Sequence, residues 1–310
     1  KTLWEERARL TLGGEFRENV RQDQKNYDET DPKTTYLDSK EYSYVAAAYA
    51  QADVAVVKEV RVNAGLRFDS YDTFGSSVNP RAALIVNPVE GTTLKALYGR
   101  AFRAPSAYEL YYADNGYFQK SNPDLDPETV DSFELVVEQA IGKELTGTAG
   151  GFITEVHDLI TLVQDPADGL SYFENVGEVR TEGAEAELEW RLESGIRGSA
   201  GYTYAHAVNR ETDRQLANSP RHLAKLNVSV PLVEEKVFAG LELQYVGERR
   251  TLARNVADDF LLVNLTLYSR ELMRGLDFSA TVYNLLNSRA TDPGGIEHVQ
   301  LTTRDDVRRM

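Results

Sequence analysis

The chain has 310 residues, no cysteine, a formal net charge of −15 and 42% hydrophobic residues. That excludes wholesale disorder and argues against nucleic acid as a partner, because phosphates require clustered Lys and Arg. Mean hydropathy is −0.43, and no stretch approaches the ~18 to 20 apolar residues of a membrane helix, although a sheet crossing with alternating strands of ~9 to 11 residues is not excluded.

The lack of thiols is compatible with export. Lys1 is not followed by a charged-then-apolar leader, so the chain is expected to be mature, trimmed or a fragment.

Period-two alternation carries the element reading, because successive side chains on a strand point to opposite faces. The first predicted strand, 4–21, sets Ala8, Leu10 and Leu12 against Arg7, Arg9 and Thr11. A long connection, 22–40, leads to 41–56, and a turn near Lys58 leads to 60–70. There Val60, Val62, Ala64, Leu66 and Phe68 oppose Arg61, Asn63, Gly65, Arg67 and Asp69. A long connection at 71–78 precedes 79–88, the turn Val89-Glu90-Gly91 precedes 92–102, and the long segment 103–127 precedes 128–141. In that strand Phe133, Leu135 and Val137 lie opposite Ser132, Glu134 and Glu138.

Gly142-Lys143 turns the chain into 144–157, and 158–175 carries it to 176–191, where Ala184, Ala186, Leu188 and Trp190 oppose Glu185, Glu187, Glu189 and Arg191. Ser194-Gly195 leads to 196–208, 209–219 to 220–231, and Val233-Glu234-Glu235 to 236–248, with Val237, Ala239, Leu241, Leu243 and Tyr245 on one face. The connection 249–258 leads to 259–270, and Glu271 to Gly275 leads to 276–287, with Leu276, Phe278, Ala280 and Val282 aligned. A further connection, 288–298, precedes a possible partial strand at 299–310.

Two faces so unlike each other need two solvents. A soluble sandwich also alternates, but these connections alternate between long and short. That is the asymmetry of an up-and-down barrel in the outer membrane, with tight periplasmic turns and extended outer loops. The predicted fold class is therefore all-β: an antiparallel up-and-down transmembrane β-barrel. Lipid demands closure and bacterial barrels have even strand counts. About 13 to 14 strands thus make a small barrel or an incomplete one.

One segment has a specific pattern. It begins Phe102-Arg103-Ala104-Pro105-Ser106 and continues to Asn122-Pro123-Asp124-Leu125, followed by Pro127-Glu128. Gly65-Leu66-Arg67-Phe68-Asp69 and Val78-Asn79-Pro80-Arg81-Ala82-Ala83-Leu84 precede it, and Tyr283-Asn284-Leu285-Leu286-Asn287 comes late. This ordered set resembles the boxes of TonB-dependent outer-membrane receptors, in the C-terminal part of their β-barrel. The resemblance implies a partial barrel out of ~22 strands, with residues 1–310 a barrel portion and the plug domain and N-terminal strands not present in it. The segment 299–310, with Arg304, Asp305, Asp306, Arg308 and Arg309, departs from the family's closing strand, which ends on an aromatic residue.

Local chemistry agrees with the boxes. Pro105 offers no N–H to a ladder and stops the strand, and Asn122-Pro123 and Asp126-Pro127 initiate turns. Tyr108, Tyr111, Tyr112 and Tyr117 lie in the loop between. They read either as an interfacial girdle with loop packing or, with Arg103, as the candidate ligand-binding surface. The family-motif residues carried over are Phe102, Arg103, Ala104, Pro105, Asn122, Pro123, Leu125, Pro127 and Glu128.

Functionally, the resemblance implies TonB-coupled uptake of a bulky scarce nutrient. A ferric siderophore-like ligand is favoured over haem or cobalamin; haem receptors of the family usually carry a histidine between the two boxes, and none lies between Ser106 and Ser121, which lowers haem. The implied partners are outer-membrane lipid, the small-molecule ligand and a TonB-type energy-coupling protein reached through an N-terminal region outside this chain. No catalytic residue, cofactor or metal is expected. Gly13-Gly14-Glu15-Phe16 is a chance match to a cyclase signature, and His157 and Asp158 are strand neighbours that point apart. His206 and His222 flank a loop, and Asp165-Pro166-Ala167-Asp168-Gly169 reads as a turn without EF-hand spacing. The alternatives are a passive porin, a barrel enzyme or a soluble all-β binding protein.

Overall fold

The computed structural model describes residues 2–3, 7–29, 31–233, 236–294 and 302–304. Thirteen successive strands form the main sheet. They are β1 (Ala8–Tyr27), β2 (Thr35–Val57), β3 (Val60–Tyr71), β4 (Gly75–Val86), β5 (Thr92–Arg103), β6 (Glu128–Ile141) and β7 (Leu145–His157). β8 (Val179–Arg191), β9 (Arg197–Asn209), β10 (His222–Val233), β11 (Val237–Val246), β12 (Phe260–Ser269) and β13 (Ser279–Val282) complete it. Their order in the sheet is their order in the chain, and Thr2–Leu3 and Arg214–Gln215 add short rungs on β1 and β9. The chain gathers into two compact units, Lys1–Ile85 with Ala96–Phe133 and Thr154–Arg180, and Val86–Lys95 with Glu134–Ile153 and Thr181–Met310.

In the first unit, antiparallel register puts Leu12 opposite Ala50 and Ala50 opposite Leu66, while Glu15 faces Ala47 and Ala47 faces Asp69. One face is thus apolar and the other charged. On the charged face Arg67 joins Glu15 at 3.0 Å and the buried Asp69 at 2.8 Å, and Arg61 joins Asp53 at 2.7 Å. On the apolar face Leu12 and Phe16 are each 69% exposed. In the second unit, Leu135 is 68% and Leu188 40% exposed. Among the described residues no second sheet or helix layer covers these side chains, which is the arrangement expected of a face that meets hydrocarbon.

Glycines let rings lie flat on strands of the second unit. A Cβ on Gly198 would stand 2.3 Å from the Asn227 carbonyl oxygen and 2.5 Å from the Trp190 indole, and one on Gly183 would stand 2.6 Å from the Phe152 ring.

Three predicted boundaries are corrected. The connection 22–40 shrinks to 28–34, because β1 and β2 run on as a ladder with polar residues on both faces, pairing Asp23 with Lys40 and Lys25 with Asp38. At ~3.3 Å per residue the 20 residues of β1 span ~66 Å, about twice the ~30 Å hydrocarbon core. The connection 71–78 is three residues, Asp72 to Phe74, with Gly75 at φ 96°. Tyr71 stacks on Phe74 with centroids 4.5 Å apart, and Asp72 accepts from the Tyr44 amide at 3.0 Å. The alternation of long and short connections therefore has this exception. Lastly, 276–287 is a strand only over Ser279–Val282. Asn284 sits at φ 47° and its carboxamide closes a turn, accepting from the Ser288 amide and donating to the Ser288 carbonyl. Of the expected strand 299–310, the described part, Thr302–Arg304, pairs with Thr291–Pro293 outside the main sheet.

Candidate functional site

The loop end of the first unit is built around the box segment. Phe102, near the end of β5, meets Tyr71 and Phe74 edge-on at 5.8 and 6.2 Å. Beyond it Pro105 is buried and the helix α1 (Ala107–Tyr111) begins. Ser106 caps that helix reciprocally: its hydroxyl accepts from the Glu109 amide at 3.3 Å, and the Glu109 carboxylate accepts from the Ser106 amide at 2.7 Å. Five residues cannot hold a helix alone. Leu110 anchors it in a small core with Leu125 and Ile160, against which Tyr111 and Phe173 pack. Burying one such leucine contributes ~1.5 to 3 kcal/mol.

Arg103 ties both boxes together. Its guanidinium donates to Glu128 at 2.6 and 2.8 Å and to Glu109 at 2.9 and 3.0 Å. Glu128 also accepts the Ile160 amide at 2.8 Å, which fastens the hairpin Ile160–Gln164 and Ser171–Asn175 to the second box. Burial pushes the Glu109 carboxyl up, but Arg103 and Ser106 outweigh it and hold the group below its ordinary value. Asn122 donates to the Phe173 carbonyl at 2.8 Å, and the Asn175 side chain accepts the Asp126 amide and donates to the Asp126 and Asp158 carbonyls. Pro123 lies in the turn of the second box, Ala104 directly follows β5, and Pro127 leads into β6.

Asp114 orders the tip by accepting three consecutive amides, Tyr117, Phe118 and Gln119, at 2.9 to 3.0 Å. Those amides pull its carboxyl below the ordinary value despite burial. The turn at Asp165 to Gly169 is closed by the Lys120 ammonium, which bridges Asp165 and Asp168. Lys120 first, and loop amides second, lower both carboxyls.

The four tyrosines divide into two pairs. Tyr111 packs on the small core, and the Tyr112 hydroxyl accepts from Asn26 at 2.8 Å. Tyr108 and Tyr117 remain 47% and 75% exposed. Tyr108 lies tilted against Tyr112 at 4.7 Å and edge-on to Phe173 at 5.7 Å, and Tyr117 meets Tyr36 edge-on at 5.0 Å. Phe118, 63% exposed, extends the surface. Gln24 and Asn26, on the outward run of β1, prop the helix through the Ala107 carbonyl and Tyr112. Sequence reasoning missed both because 22–40 was read as a loop, although Gln22, Gln24 and Asn26 keep the strand spacing. His157 stands 3.5 Å from Glu178 and 4.0 Å from Asp131, not against Asp158. His222 bonds Tyr202 and His206 bonds Arg221.

A sheet whose strands pair in chain order, with an uncovered apolar face and elaborated loops on alternate connections, is that of an outer-membrane β-barrel. The chain matches the family model "TonB dependent receptor-like, beta-barrel" over residues 2–285, and it belongs to that family. It is 27% identical over 264 residues to the iron-regulated outer membrane virulence protein of Vibrio cholerae, covering 78% of this chain and 40% of that protein. With the vitamin B12 transporter of Vibrio cholerae it shares 26% over 272 residues, 84% of this chain and 42% of the relative. A crystal structure of a ferric enterobactin receptor mutant of Pseudomonas aeruginosa with enterobactin aligns with TM-score 0.79 at 21% identity, over 97% of this chain and 50% of the other. The chain thus spans about two fifths of the length of the curated relatives it matches.

Proposed function

We propose that this chain is the barrel portion of a receptor that takes up a bulky, scarce nutrient through TonB coupling, with a ferric siderophore-like compound as the ligand. The observation that carries the reading is the box loop. Arg103, Glu128 and Asp114 hold it in one bonded arrangement that leaves Tyr108, Tyr117 and Phe118 facing outward. Exposed rings on a rigid base suit a flat, aromatic-rich ligand. In this reading Tyr108 and Tyr117 touch the ligand, while Arg103, Tyr111 and Tyr112 position them. The names of the relatives, an iron-regulated outer membrane protein and a ferric enterobactin receptor, support iron. Cobalamin is the second reading, supported by the vitamin B12 transporter's alignment over 84% of this chain. An energy-coupling protein of the TonB type acts through regions beyond this chain.

The test is growth of a receptor-deficient strain, complemented with the whole receptor, on a panel of ferric siderophores, haem and cobalamin. Growth on a ferric siderophore that is lost in Tyr108→Ala/Tyr117→Ala, with the receptor still assembled, is the expected result. Growth on none of the iron sources sinks the iron reading.

A further inference from the structure

We infer that the second unit carries a binding pocket for a zwitterion, an anionic oxyacid and an ammonium on one short scaffold. The inference stands on this pocket alone and does not depend on the uptake reading.

Three connections of the second unit converge there. The connection β11–β12 folds into a small hairpin, Arg249–Arg250 against Val256–Ala257. The connection β9–β10 lies along it, with Ala217 bridged to Arg250, the Asn218 amide on the Arg250 carbonyl at 2.8 Å, and Arg254 on the Gln215 carbonyl at 3.0 Å. The segment after β13 joins through Arg249, which is 6% exposed. Its guanidinium donates to Asp292, to the Thr291 carbonyl at 2.6 Å and to Asn218, over the Phe260 ring at 5.4 Å.

Beside this hub lies a cavity of about 390 Å³ that includes Arg221, Glu248, Arg250 and Asp259 in its lining. Arg221 donates to the His206 imidazole at 3.3 Å, and Asp259 receives the Tyr245 hydroxyl. Neither contact neutralises the charge. The Arg250 and Glu248 side chains make no hydrogen bond or ion pair with any described residue, although two positions apart in sequence. The Nε of Arg249, in the same lining, is buried and unpartnered. Opposite charges that border one cavity without meeting leave a place for a ligand that meets both. A lone anion would bring two guanidinium contacts but face two carboxylates, and a lone cation the reverse. A zwitterion satisfies each with charge-assisted hydrogen bonds, for which Arg is the preferred oxyanion partner.

This chemistry is found in an ethanolamine-phosphate lipid headgroup and in free solutes of the same kind. The test uses the receptor purified from outer membranes in detergent, titrated with O-phosphoethanolamine and followed by phosphorus NMR. Saturable binding at least tenfold tighter than inorganic phosphate, or than ethanolamine by calorimetry, is expected. Arg250→Ala and Glu248→Gln should each weaken it fivefold or more, and Arg250→Lys should recover part of the loss. The same titration in phosphatidylethanolamine and phosphatidylglycerol vesicles separates the sources. A fivefold weaker apparent affinity in the first alone identifies the lipid headgroup, and equal affinity in both identifies a free solute. Inorganic phosphate binding as tightly as the zwitterion, no saturable binding, or binding untouched in the folded Arg250→Ala and Glu248→Gln proteins overturns the inference.

Discussion

Glu128 is 8% exposed and relies on Arg103 for its countercharge. Removing one partner of a buried pair costs ~3 to 5 kcal/mol, but the Arg103 side chain is 45% exposed, so screening reduces the expectation to ~1 to 3 kcal/mol. Arg103→Gln should therefore loosen 104–127 and the hairpin at 160–175 without blocking assembly, read as faster amide exchange in those segments alone. The same loops should respond to acid. The carboxyls of Glu109, Asp114, Asp165 and Asp168 lie below their ordinary values in the folded chain. Their contribution is complete above the unfolded values near ~4 and is lost as pH falls through the lower folded ones. Protease resistance of the box loop should hold from neutral pH to about 5 and fall below about 4, and unchanged cleavage by an acid-stable protease across that range would contradict it. Much of this network was legible: Arg103, Pro105, Asn122 and Glu128 stand in boxes whose turn chemistry is local. Its partners Ile160, Phe173 and Asn175 were not, because nothing in the spacing of a loop says which distant loop it will bond.

Strand faces were the most legible feature, since period two is fixed by the pleat and needs no partner to be read. Legibility failed where polarity stopped marking position. At 22–40 both faces are wet, so a continuing ladder looks like a loop. At 71–78 Gly75, Ser76 and Ser77 read as turn formers, while Tyr71, Phe74 and Phe102 tighten the real turn to three residues. The face assignment itself is testable. Leu188→Asp puts a charge on the uncovered apolar face, at a cost below the ~2 to 4 kcal/mol of Arg or Lys at the bilayer midplane, and should block assembly, whereas Glu187→Ser should be mild. Equal heat-modifiable mobility of both variants from membranes would reverse the faces. Close packing gives a second contrast. Gly198→Ala forces a Cβ against the Asn227 backbone and the Trp190 ring, and overpacking of that kind costs ~1 to 3 kcal/mol, while Gly147→Ala meets nothing within 4 Å. The first should lower the unfolding temperature in detergent and the second should not.

At the scale of the whole molecule, the uptake proposed above can run by diffusion or by work. A porin and a coupled receptor share the alternating strands and wet inner face, so the sheet does not separate them. Under the proposed function the box loop separates them: five charge-assisted bonds and a three-residue apolar anchor tie it down. A loop made to be rigid favours tight capture, and tight capture opposes release on the far side. A passive route gains nothing from such a trap, because a ligand bound equally well throughout merely stays. Transport past it requires the site to be altered by an outside input, since a population shifts only by a differential free energy. The receptor in a cell lacking the TonB-type protein should therefore still bind its ligand at the surface, with unchanged affinity. Accumulation inside should fall to background. Measured with labelled ligand at 0 °C for binding and at growth temperature for entry, equal accumulation with and without the coupling protein would leave the porin reading standing and the coupled one without support.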